Sequence, residues 1–219
     1  MSSEPRKSPS RLLIAALVLS LAITAGSVFF IFYRLTMPTP NTGAAVINSG
    51  EYFDGGTLVD PPRKLADFTL TGIDSQPLSL SDLAGKVTLL YFGYTHCPDV
   101  CPLTLGDFKQ IKEQLGPQAD QINFVMISVD GERDTPEYLQ RYLSAFDPTF
   151  LGMTGSGDDL KRVGVDYGLY FHLNKEEGEN YTVDHTASIF MIDPQGNLRT
   201  IFTYGTEPEV ITEYIQNLL

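Results

Sequence analysis

Cys97 and Cys101 are the only thiols in 219 residues, and His96, His172 and His185 are the only imidazoles. A thiolate or imidazole metal site must be drawn from these five side chains, which excludes a four-cysteine cluster or a large zinc site. The cysteines lie in Cys97-Pro98-Asp99-Val100-Cys101-Pro102. A residue before proline is steered away from helical geometry. Cys97 and Cys101 are therefore expected in a loop, with Cys101 as the N-cap of a helix and Pro102 as its first residue. Both sulfurs then sit at the positive end of a helix dipole, which favours thiolates. Such a pair can hold a soft metal, exchange with a partner's disulfide, or close a structural bridge in an exported protein. The structural bridge is the weakest of the three. Closing a loop of about five residues contributes about 2 kcal/mol, against about 4.7 for a 100-residue loop, and a domain of this size has a core of its own.

The elements that must position the pair follow from hydrophobic patterning. Asp67–Leu70 and Pro77–Leu80 alternate apolar with polar around Gly72-Ile73-Asp74-Ser75, which reads as a β-hairpin. Lys86–Tyr94 (KVTLLYFGY) and Ile122–Val129 (INFVMISV) are continuous apolar runs, as in strands covered on both faces. Leu103, Leu105, Phe108, Ile111 and Leu115 mark a helix face between them. Thr135-Pro136 is an N-cap and first-turn pair for a second helix bearing Tyr138, Leu139, Tyr142, Leu143 and Phe146. A short strand at 150–153, a helix at 158–167, strands at 188–192 and 199–203 about the turn Pro194–Asn197, and a C-terminal helix with Val210, Ile211, Tyr214, Ile215 and Leu218 complete the order. The expected class is α/β: a mixed central sheet with flanking helices, compatible with a thioredoxin-like fold. The cysteine pair then lies at the C-terminal end of a central strand, where open α/β sheets place their sites.

The net charge is −12, which argues against a nucleic-acid partner. It divides into a basic head, net +3 over residues 1–34, and an acidic body of net −15. Within the head, Leu12–Tyr33 is an uncharged run of 22 residues. As a helix it spans roughly 33 Å, enough for a hydrocarbon core of about 30 Å. It is longer than a signal-peptide core, and Phe29, Phe30, Phe32 and Tyr33 stand where a cleavage site needs small residues. The reading is residues 1–11 cytoplasmic, 12–33 a transmembrane helix, 34–62 a Pro- and Gly-rich linker, and 63–219 the domain. The basic residues before the span place the N-terminus in the cytoplasm and the domain on the extracytoplasmic, periplasmic side of an inner membrane.

A third ligand could come from any histidine. His172 lies beside the charged stretch 175–180, and His96 adjoins Cys97, whose side chain should point elsewhere. His185, in Val183-Asp184-His185-Thr186, precedes a strand, and in a thioredoxin-like sheet that loop faces the cysteine loop. Three blocks carry a resemblance: Tyr91–Pro102 (YFGYTHCPDVCP), Ser128–Glu137 (SVDGERDTPE) and Val183–Thr186 (VDHT). Together, in order and at this spacing, they resemble the Sco/SenC family of copper chaperones. The resemblance implies a membrane-anchored, thioredoxin-like protein that delivers copper to the dinuclear copper centre of cytochrome c oxidase. Its partners would be the copper-binding oxidase subunit and other extracytoplasmic copper chaperones. The implied copper ligands are Cys97, Cys101 and His185, and Asn174–Asn180 would fall in the family's variable hairpin loop. Two thiolates and one imidazole form a soft set suited to Cu(I), whereas tetrahedral zinc needs a fourth ligand. The bound ion would be Cu(I), Cu(II) or both in turn.

Asp184 is a candidate to orient the imidazole, or a turn former. Asp130 and Asp134 are candidates for contacts to the copper loop or a partner, or are cap and turn carboxylates. The competing reading is a thiol–disulfide oxidoreductase that reduces a partner's copper-ligand cysteines through Cys97 and Cys101 alone. A thiol peroxidase would need an arginine at the cysteine, and none is near Cys97 in sequence. Phosphate-binding GxGxxG and GxxxxGK[ST] loops and a GxSxG elbow are absent, so no conventional enzyme is expected.

Overall fold

The computed structural model describes residues 51–178 and 180–219. Eleven strands and four α-helices are formed by these residues. The strands are β1 (Glu51–Phe53), β2 (Gly56–Lys64), β3 (Thr69–Gly72), β4 (Pro77–Ser79), β5 (Val87–Gly93), β6 (Ile122–Ser128), β7 (Leu151–Thr154), β8 (Phe171–Leu173), β9 (Val183–His185), β10 (Ile189–Ile192) and β11 (Asn197–Phe202). The helices are α1 (Val100–Leu115), α2 (Pro136–Ser144), α3 (Gly157–Gly164) and α4 (Pro208–Gln216). Nine strands form one sheet in the order β1-β2-β11-β10-β5-β6-β7-β3-β4, while β8 and β9 pair only with each other.

The β5–β6 and β6–β7 pairs are parallel, and every other pair is antiparallel. The sheet is therefore mixed, as the patterning predicts. All seven residues of β5 are buried, which is why this segment is apolar without alternation. α1 packs against α4, and α2 against β7. The buried face of α1 is Cys101, Thr104, Leu105, Phe108, Ile111 and Leu115. Leu103, expected on that face, is exposed because it lies outside the i, i+3, i+4 stripe through Leu105.

Three boundaries differ from the sequence reading. Residues 51–62, expected as linker, belong to β1 and β2, and β2 extends the main sheet against β11. Gly56 is there for close approach: a Cβ would stand 2.3 Å from the Ile201 carbonyl oxygen. Pro61 and Pro62 fall where the β2–β11 register shifts, so no ladder amide is missed. The helix expected over 158–167 ends at Gly164 and tightens into a 3₁₀ turn closed by Gly168 at φ 61°. Finally, α1 starts at Val100, with Asp99 as its N-cap. Cys101 is thus the second helical residue and Pro102 the third. Proline is tolerated there because the first helical amides have no intrahelical acceptor. The expected span at 12–33 and the first part of the linker lie outside the described residues.

Candidate metal centre

The end of β5 and the first turn of α1 hold the two cysteines. Both are free thiols, Cys101 buried and Cys97 half-buried. The Cys101 backbone N–H donates to Cys97 Sγ at 3.5 Å, which folds the short loop back on the helix start. The Tyr91 hydroxyl donates to Cys101 Sγ at 3.3 Å from beneath. Gly93 makes room for that sulfur: a Cβ here would meet Cys101 Sγ at 3.1 Å and the Tyr91 ring at 2.5 Å. The remaining support comes from Asp134. Its carboxylate accepts from the Thr95 backbone N–H at 2.9 Å, from Thr95 Oγ1 at 2.5 Å and from Ser128 Oγ at 2.6 Å. This buried group ties the cysteine loop to the end of β6.

His185 comes from the opposite side, as the last residue of β9. Its Nε2 lies 3.5 Å from Cys101 Sγ, and one atom each of Cys97, Cys101 and His185 fall within 4.8 Å of one another. With Nδ1–H donated to the Thr186 carbonyl at 3.0 Å, the Nε2 lone pair faces the sulfurs. The rings of Tyr91 and Tyr94 meet the imidazole edge-on, at centroid distances of 6.0 and 5.7 Å. The site thus brings two sulfurs from the strand-to-helix turn and one nitrogen from β9 to one point, with Cys97 half-buried and Cys101 buried.

The two thiols differ electrostatically. The neighbouring Cys101 thiol and the Asp99 and Cys101 amides favour a thiolate at Cys97, and despite partial burial they hold its pKa down to about 5. The neighbouring Cys97 and burial both push the Cys101 thiol well above its ordinary value. The pair is therefore one accessible thiolate and one buried thiol.

The structure brings Cys97, Cys101 and His185 together, sets Asp134 behind the cysteine loop as one reading of it predicts, and keeps His172, His96 and Asp184 off the sulfurs. His172 is exposed on β8. The His96 ring stacks on Tyr138 at 5.4 Å, away from the sulfurs' pocket. Asp184 does not orient the imidazole. It is exposed and alternates with His185 along β9, so the two side chains leave the strand on opposite faces, and the Thr186 carbonyl takes the orienting role. His96, Asp130 and Asp134 also lie close enough together to suggest a second ligand set. Their carboxylates are engaged already: Asp134 as above, and Asp130 with the Tyr181 hydroxyl at 2.7 Å and Arg133 Nε at 2.5 Å. Tyr91, Gly93, Tyr94, Arg133 and Thr186 fall inside the three resemblance blocks but nothing local assigns them a role, and Tyr181 lies outside the blocks altogether. Tyr91 and Tyr94 are indistinguishable from core in an apolar strand, and the others act through tertiary contacts.

Relatives share this architecture. A family model described as SCO1/SenC matches residues 58–219. A SCO2-like protein of Rickettsia felis is 30% identical over 212 residues, covering 96% of this chain and 98% of its own. The copper-bound structure of Bradyrhizobium japonicum ScoI is 36% identical, with a TM-score of 0.66, over 71% of this chain and 99% of that one. The apo Sco1 protein of Thermus thermophilus is 35% identical, with a TM-score of 0.69, over 78% and 99%. With a family match running from β2 to the C-terminus and relatives aligned over nearly their whole length, this chain belongs to the SCO1/SenC family.

Proposed function

We propose that this chain is a copper metallochaperone in which Cys97, Cys101 and His185 bind copper and pass it to the copper-binding subunit of cytochrome c oxidase. The observation that carries the reading is the convergence of two sulfurs and one imidazole nitrogen within 4.8 Å, with Cys97 the more exposed of the two cysteines. The donor set suits Cu(I), which tolerates three ligands, and accommodates Cu(II) after oxidation. The copper bound to Bradyrhizobium japonicum ScoI supports the choice of metal. Cys97, already a thiolate, meets the incoming ion first. Cys101 then releases its proton as it ligates, and His185 completes the set through Nε2. Ligand exchange in the reverse order hands the ion to an acceptor, and other extracytoplasmic copper chaperones are the natural donors.

In the same reading Leu12–Tyr33 anchors the chain in the inner membrane, with the N-terminus cytoplasmic and residues 63–219 on the extracytoplasmic side. Among the described residues no helix is long and apolar enough to cross a membrane. The test is Cu(I) titration of the reduced full-length protein against a competing chelator. One tightly held ion per chain is expected, and a protein that fails to compete for copper overturns the proposal.

A second reading is favoured by the unequal thiols. A half-exposed thiolate beside a buried thiol is the arrangement of a dithiol reductant. The Cys97 thiolate would attack a partner disulfide, displacing one partner thiolate and leaving a mixed disulfide. Cys101 would resolve it as a thiolate, its proton passing to a released partner sulfur. With a second proton taken from water, the partner leaves as a dithiol and Cys97–Cys101 as a disulfide. This role needs both cysteines and no histidine. Reduction of a partner by His185→Ala at the wild-type rate, together with unchanged oxidase assembly, would select it.

A further inference from the structure

His185 is carried by an element that the nine-stranded sheet does not hold. β8 and β9 pair only with each other. A cavity of about 640 Å³ is lined by Phe171 and Leu173 of the hairpin and Val129 and Leu160 of the body, while Val183 of β9 is buried in the core. The Thr186 N–H donates to the Tyr170 carbonyl at 2.9 Å and the Tyr170 N–H to Thr186 Oγ1 at 3.0 Å, but these bonds lie at the hairpin's own base. Lys175 reaches Glu132 of the body at 2.6 Å, with both side chains more than half exposed, and such pairs contribute little.

The buried tie is different. Tyr181, four residues before His185, donates its hydroxyl to Asp130 Oδ1 at 2.7 Å. Arg133 Nε donates to Asp130 Oδ2 at 2.5 Å, and its guanidinium carbon lies 3.5 Å from the centroid of the Tyr181 ring. Asp130 is 0% and Tyr181 8% exposed. The same guanidinium stands 6.0 Å from the Tyr94 ring, which itself meets His185. The four residues from Tyr181 through β9 carry this grip at most about 13 Å to the imidazole.

We infer that Asp130, Arg133 and Tyr181 form a clamp that positions His185 against the cysteines, and that these residues set copper affinity without touching the ion. The inference rests on the copper reading of the site, and its test separates the two. Metal-free reduced protein is compared by NMR as wild type, Tyr181→Leu, Tyr181→Phe and Arg133→Lys. Each is then titrated with Cu(I) against a chelator and, after loading with Cu(II), examined by electron paramagnetic resonance.

Tyr181→Leu is expected to lose the nuclear Overhauser contacts between the His185 ring and the rings of Tyr91 and Tyr94, while the core contact between Phe92 and Phe190 persists. Its copper affinity should fall by roughly tenfold to a hundredfold, the usual effect of removing a group behind a metal ligand. The imidazole nitrogen coupling in the Cu(II) spectrum should weaken in parallel. Tyr181→Phe, which keeps the ring under the guanidinium, should lie between wild type and leucine, and Arg133→Lys, which loses the planar stack, should resemble leucine. Wild-type ring contacts and affinity in Tyr181→Leu and Arg133→Lys overturn the clamp. If Tyr181→Leu fails to fold, Tyr181→Phe and Arg133→Lys decide alone. If the wild-type protein binds no copper, the metal reading falls, and the ring contacts of the metal-free variants still decide the clamp.

Discussion

The two sides of the candidate site are built on unlike foundations. Cys97 and Cys101 stand on β5, which is buried at every residue, and on the first turn of α1, whose inner face is part of the core. Asp134, Tyr91 and Gly93 fix their surroundings with buried hydrogen bonds and a close approach. His185 stands at the end of a two-stranded hairpin outside the main sheet, beside an exposed Asp184. The sulfurs are therefore placed by strand and helix residues inside the cooperative core, while the imidazole is placed by a short hairpin whose hold on the core runs through Val183 and the Tyr181 tie. On the proposed copper reading, the difference implies a division of labour: the cysteines would decide whether a soft metal is held at all, and the histidine would tune how tightly it is held and how readily it leaves.

Removing a sulfur should have the largest effect. Cys101→Ala should abolish stoichiometric Cu(I) binding in a chelator competition, because one thiolate and an imidazole leave the ion poorly held; retained binding would break the contrast. His185→Ala should retain one Cu(I) on two thiolates, with an affinity loss exceeding the roughly tenfold to hundredfold typical of groups behind the ligands. Equal losses for the two variants would show that the sides of the site are equivalent.

The unequal thiols sharpen the comparison within the rigid side. Alkylation followed by mass spectrometry should modify Cys97 with a midpoint near pH 5, while Cys101 resists through pH 8. The sign for stability follows from the same shift. A folded-state pKa of about 5 below an unfolded value near 9.0 means the thiolate stabilises the fold fully above the unfolded value and not at all below about pH 5. Because Cys101 retains its proton at neutral pH, Cu(I) binding there should release that proton, and affinity should rise about tenfold per pH unit. A pH-independent affinity would contradict the assignment.

Smaller effects separate the foundations themselves. Gly93→Ala forces a methyl against Cys101 Sγ, the Tyr91 ring and Met126, and urea unfolding should show a loss of roughly 1–3 kcal/mol. Lys175→Ala on the hairpin removes only an exposed ion pair and should change stability by less than about 1 kcal/mol. A larger loss from Lys175→Ala than from Gly93→Ala would reverse the order of rigidity.

Much of the rigid side is legible in the sequence, because its signals are local. An apolar run with no alternation marks β5, Thr135-Pro136 marks the start of α2, and the Cys-Pro pairs mark a strand-to-helix turn. The prolines misplace the helix start by two residues because a first-turn proline loses no hydrogen bond. The hairpin side is less legible. The Val183–Thr186 motif identifies His185, yet nothing local shows that Asp184 faces away, that Thr186 supplies the orienting carbonyl, or that Tyr181 reaches back 51 residues to Asp130. Those facts depend on β8–β9 pairing and on the fit of the hairpin to the body. Residues 51–62 mislead in the same way, since glycines and prolines that read as a linker are there for a close approach and a register shift at a sheet edge.

The most direct test of the central claim is copper K-edge X-ray absorption on reduced protein loaded with one equivalent of Cu(I), wild type against His185→Ala. Two sulfurs and one nitrogen are expected around the ion in the wild type, with loss of the histidine nitrogen and both sulfurs retained in the variant. Identical spectra from the two proteins, or a wild-type ion with no sulfur neighbours, would contradict the assignment of Cys97, Cys101 and His185 as the copper ligands.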